Sequence, residues 1–168
     1  MPDPGSGRDE TEIERLDRNL SELLQELRVA LPGVQVLFAF LLTIPFNQRF
    51  VELTETQKDI YLVTFLATTV SAALLIAPTA YHRITFRKQQ KAHLVQIANR
   101  AAVVGLGFLA LAMTGVVLLV TDFLFSTLVT VACTTFAGLL FAIFWYALPL
   151  WRRVELEDDQ RPVSPGRG

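Results

Sequence analysis

The chain has 168 residues, 52% of them hydrophobic, and its 15 Lys and Arg nearly balance its 16 Asp and Glu, for a net charge of −1. Ninety-two residues fall in four windows without a single charged side chain: 29–48, 60–81, 101–121 and 123–151. A soluble helix carries a polar face and does not segregate charge so completely, which excludes a soluble globular domain, a disordered chain and a nucleic-acid-binding module.

Residues 1–10 are polar and rich in Pro and Gly and read as a disordered tail. They lack a basic stretch followed by an apolar core, so no cleavable signal peptide is expected. Over 11–31, Ile13, Leu16, Leu20, Leu23, Leu24, Leu27 and Leu31 recur at steps of three and four, one apolar stripe on a helix. Thr11 and Glu14 have capping-box spacing, and Pro32 with Gly33 predicts a stop or bend. The polar face of this helix is net acidic, whereas a lipid-surface helix should be rich in Lys and Arg. The stripe is therefore expected to pack on protein, either the basic segment 82–100 or another subunit, with lying on the membrane surface as the alternative.

A hydrocarbon core of about 30 Å needs about 20 helical residues, and backbone groups in lipid must pair within their own segment. Four spans follow, at about 32–48, 60–81, 101–121 and 123–149, inside a membrane domain of 32–151, with a disordered tail at 152–168. The first span is the weakest, bounded by Pro32 and Pro45, and a re-entrant segment is its alternative. The third and fourth are expected to meet in a short hairpin at Thr121 and Asp122. The expected fold is an all-α membrane protein, a bundle of four transmembrane helices preceded by a cytoplasmic amphipathic helix. Placing both termini and the segment 82–100 in the cytoplasm puts thirteen Lys and Arg inside and two outside, as the positive-inside rule requires. Trp145, Tyr146, Trp151 and Tyr81 then fall near cytoplasmic ends, and Tyr61 near an outer end.

Small residues recur every fourth position in the fourth span (Ser126, Thr130, Thr134, Gly138, Ala142) and in the second (Thr64, Thr68, Ala72). Such ridges let helix backbones approach, and they are expected to serve packing rather than a polar path. Intramembrane ionisable groups point to ion traffic, but none lies in the four windows. The candidate transport or interface residues are therefore boundary groups: Glu26, Arg28, Gln35, His82, Arg83 and Arg87. Snorkelling, packing and the positive-inside rule account for them as well. His82 and His93 have no acid or Cys beside them to complete a metal site, and the single cysteine, Cys133, reads as an apolar filler. No nucleophile–base pair, phosphate-cradling loop or metal motif is visible, so no enzyme activity, catalytic residue, cofactor or metal is expected.

The run RNLSELLQELRV from Arg18, the run GVQVLFAFLL from Gly33 and the run APTAYHRITFR from Ala77 resemble a family of small bacterial integral membrane proteins of unknown function. Some of its members are labelled sodium:proton antiporters. The resemblance covers about residues 15–153 and implies the bacterial inner membrane as location. It carries no site residues over. Two functions are expected: association with itself or with another membrane protein, through the 11–31 helix and the small-residue ridges, or cation/proton transport by a small oligomer. The lipid bilayer is the expected partner in both, and nucleic acid in neither.

Overall fold

In the computed structural model, residues 12–85 and 91–152 are described, and among them every regular element is helical. Helix α1 runs Glu12–Thr43, α2 Glu55–Thr85, α3 Lys91–Leu124 and α4 Thr127–Ala142. Short 3-10 turns at Ile44–Phe46 and Gln48–Glu52 join α1 to α2. A π turn at Ile143–Ala147 continues α4, and the chain stays helical to Arg152. Four stretches are long and apolar enough to cross a membrane: Arg18–Phe46, Glu55–Ala80, Val95–Leu124 and Thr127–Arg152.

Several boundaries differ from the sequence expectation. The amphipathic helix of 11–31 and the first span are one element, because α1 runs through Pro32 and Gly33 without a break. Proline removes one backbone donor and crowds one carbonyl, a local cost that long apolar helices tolerate. The segment 82–100, expected as a loop, is helical at 82–85 and 91–100, and 86–90 lie outside the described residues. Asp122 is not in a hairpin but in the last turn of α3, and the turn to α4 lies at Phe125 and Ser126. Both tails and the Thr11 cap lie outside the described residues, Arg152 excepted. In the π turn, the Leu148 N–H donates to the Ile143 carbonyl, five residues back. Pro149 follows directly. In a regular α-helix its ring would press on the Trp145 carbonyl, and the wider turn relieves that crowding.

Buried positions follow one rule in three helices. In α1 they are Leu20, Leu27, Val34 and Leu41, seven residues apart. In α2 they include Gln57, Thr64, Thr68, Ser71, Leu75 and Pro78, and in α3 Ala98, Ala102, Gly105, Leu109, Ala112 and Leu119. Steps of four, three and seven keep one seam facing a neighbour, the register of left-handed helix packing.

The chain divides into two compact units. In the first (Met1–Glu52 and Phe65–Leu109), Leu20 packs on Ala98, with Leu23, Leu24 and Val95 around it. Three residues of the leucine stripe, Leu20, Leu23 and Leu24, thus meet α3 at Val95 and Ala98. Phe38 stacks on Phe65 with ring centroids 5.3 Å apart. The buried Ser71 hydroxyl donates to the Gly105 carbonyl at 2.8 Å, and Leu75 lies where a Gly105 side chain would be. In the second unit (Leu53–Thr64 and Ala110–Gly168), Thr64 sits against Gly115 and the Thr114 methyl lies near Gly138.

The Thr64 contact is so close that a Cβ on Gly115 would fall on the Thr64 hydroxyl, whereas a Cβ on Gly33 meets nothing within 4 Å. Alanine is intrinsically better than glycine in a helix by about 1 kcal/mol. Gly33→Ala should therefore hold or raise stability, while Gly115→Ala should lose about 1–3 kcal/mol through overpacking. Denaturant unfolding of the two variants in the same detergent measures the difference.

Candidate functional site

Polar side chains gather in the second unit where α2 begins. Thr54 and Gln57 form a capping box: the Thr54 N–H donates to Gln57 Oε1 (3.1 Å), and the Gln57 N–H donates to Thr54 Oγ1 (3.3 Å). Two backbone donors left open by the helix start are satisfied in this way. The other end of the same amide reaches α3, where Gln57 Nε2 donates to Asp122 Oδ2 at 2.8 Å. Gln57 is 9% exposed, so one nearly buried side chain both ends α2 and ties it to the end of α3. Lys58 pairs with Glu55 at 2.8 Å. The sequence signal for this cluster is Thr-x-x-Gln at 54–57, and sequence reasoning missed it together with the role of Asp122.

Two recesses open on this unit. One, of about 320 Å³, lies between α2 and α3 and is walled by Ile60, Val63, Leu111 and Leu118, with Asp59 at its edge. The other, of about 330 Å³, lies between α3 and α4 and is lined by Met113, Val117, Cys133, Phe136, Leu140 and Phe141. Cys133 is half-buried there. Both recesses are almost wholly apolar.

The small-residue ridges divide in the structure. Thr64, Thr68 and Thr130 are buried, while Ala72, Thr134 and Gly138 are half-buried. Ser126 and Ala142 are exposed. Thr64 donates to the Ile60 carbonyl at 2.7 Å and Thr130 to the Ser126 carbonyl at 3.2 Å, so these hydroxyls bond to their own helices. The Thr134 hydroxyl oxygen is buried without a hydrogen-bond partner among the described residues.

The boundary candidates do not come together in one site. Glu26, Arg28 and Gln35 are exposed on α1, and neither recess is lined by Gln35. His82 and Arg83 lie in the last turn of α2, where only the backbone is described, and Arg87 lies outside the described residues. Among the described residues, no group of three His, Cys, Asp or Glu could hold a metal ion.

The chain belongs to DUF6328, a family of unknown function, whose model matches residues 9–149. No curated protein and no solved structure matches it.

The amide–carboxylate link makes a directional prediction. Gln57→Glu keeps the acceptor for Thr54 but replaces the donor by a second carboxylate facing Asp122, and it should cost about 1–3 kcal/mol. Adding Asp122→Asn reverses donor and acceptor across the same gap and should restore most of that loss. A double-mutant cycle of unfolding free energies in detergent measures the coupling.

Proposed function

We propose that this member of the family is a four-span protein of the bacterial inner membrane that acts without catalysis, by associating with itself or with another membrane protein. Both termini lie on the cytoplasmic side in this reading, supported by the excess of Lys and Arg in 82–100 and at the ends. The observation that carries association is the unequal burial of the helices. One third of the apolar window of α2 is buried, but only 6% of that in Thr127–Arg152. Helix α4 is held along one line by Thr130 and Gly138, and it leaves Leu128, Val131, Phe136, Leu139 and Phe144 exposed. Lipid tails are as apolar as leucine, so such a face gains from a protein neighbour through close packing rather than through escape from water.

The chemistry of the buried polar residues favours association over cation/proton transport. Among the described residues these are Gln57, Thr64, Thr68, Ser71 and Thr130. Not one is ionisable, whereas proton-coupled exchange uses a buried group that takes up and releases a proton.

In nanodiscs or dilute detergent the purified chain should run as a dimer or larger, and Phe136→Ala with Leu139→Ala should shift it toward monomer without unfolding it. A monomer that drives proton or cation flux in proteoliposomes, above empty liposomes, would overturn association in favour of transport. Topology is read separately: a reporter fused after Trp151 should be active only on the cytoplasmic side.

A further inference from the structure

The recess between α2 and α3 combines two features that packing alone does not need. Its α2 wall is Thr56, Asp59, Ile60 and Val63, and its α3 wall is Leu111, Thr114, Gly115 and Leu118. Each set is spaced three, four and seven residues along its helix, so each is a single stripe. These stripes flank the seam on which Thr64 meets Gly115. The threonines in the walls add little polarity, because the Thr64 hydroxyl donates to the Ile60 carbonyl and the Thr114 hydroxyl to the Ala110 carbonyl (2.8 Å).

The second feature is Asp59. It is exposed at the edge of this apolar space and makes no hydrogen bond or ion pair among the described residues. The nearby charges are already engaged: Lys58 is paired with Glu55, and Asp122 accepts from Gln57. An unpaired carboxylate on the rim of a greasy recess complements a molecule with a positive head and an apolar body. Its volume of about 320 Å³ is at the lower end of small-molecule sites, roughly 300–1,000 Å³.

The geometry points to a binding site for lipophilic organic cations, entered from the membrane, in which the apolar body fills the recess between Val63 and Leu118 and Asp59 faces the positive charge. An anionic amphiphile of the same size is rejected by that carboxylate, and a small hydrated cation gains nothing from the walls.

Tetraphenylphosphonium is the probe, and tetraphenylborate is its counterpart of similar shape and opposite sign. Equilibrium binding to the purified full chain in nanodiscs should be saturable for the phosphonium and not displaced by the borate. Asp59→Asn should weaken it about tenfold or more, by loss of a charge contact in a partly apolar setting. Val63→Trp, at an exposed wall position that leaves the fold intact, should abolish it by filling the space. Glu52→Gln, at an exposed carboxylate that does not line the recess, should leave it unchanged. Binding that does not saturate, that survives both Asp59→Asn and Val63→Trp, or that falls equally in Asp59→Asn and Glu52→Gln would overturn the site in favour of partition into lipid or general surface charge.

Discussion

Cohesion between these helices depends on close approach along a seven-residue register. Burying apolar surface against apolar lipid yields little, so helices in a membrane are held by shape and by the few hydrogen bonds that shape permits. At Ser71 and Gly105 both act at once. A hydroxyl can donate to a helix carbonyl already used in the α-helical ladder only if nothing stands over that carbonyl, and glycine leaves it open. Leu75 then occupies the volume a side chain would have taken. In the other unit, Thr64 against Gly115 repeats the arrangement with a hydroxyl turned back onto its own helix. The small residues of α2 and α3 are thus the points where backbones approach, and the larger Leu20, Leu27, Val34 and Leu41 of α1 are buried along its seam.

The ends of the helices are governed by a different physics, since water and charge return there. A helix start leaves backbone donors without partners. At α2 these are met by Thr54 and Gln57, and the spare amide hydrogen of Gln57 is spent on Asp122. One side chain therefore couples a local requirement of α2 to its placement against α3. The same turns of α2 also carry Asp59, at the edge of the recess.

Uncharged windows exposed the four helices in the sequence, because charge is costly in lipid on every face. The same cost hid which face is buried. In water a buried stripe stands out against polar residues, but in α4 the buried Thr130 lies among Val129, Val131, Phe136 and Leu139, and hydropathy carries no directional signal. The α1 stripe was legible up to Leu31 because water-facing Glu and Arg marked its other side. Its continuation to Val34 and Leu41 was obscured by Pro32 and by neighbours as apolar as themselves. A four-residue step found Thr64 and Thr68 but then pointed to Ala72, because each such step drifts around the helix. The alternation of four and three leads to Ser71, Leu75 and Pro78, which are the buried residues. Gln57 and Asp122 were unreadable as a pair, being 65 residues apart, although the capping box on which the pair is built was written in four consecutive letters.

This asymmetry between core and rim bears on which functional reading the chain can sustain. Proton-coupled exchange uses an ionisable group inside the bundle, and among the described residues the interior offers hydroxyls and one amide. The hydroxyls of Thr64, Thr114 and Thr130 donate to carbonyls of their own helices. That arrangement satisfies each of these hydroxyls locally. What the described surface carries instead is apolar: Leu128, Val131, Phe136, Leu139 and Phe144 of α4 stand exposed.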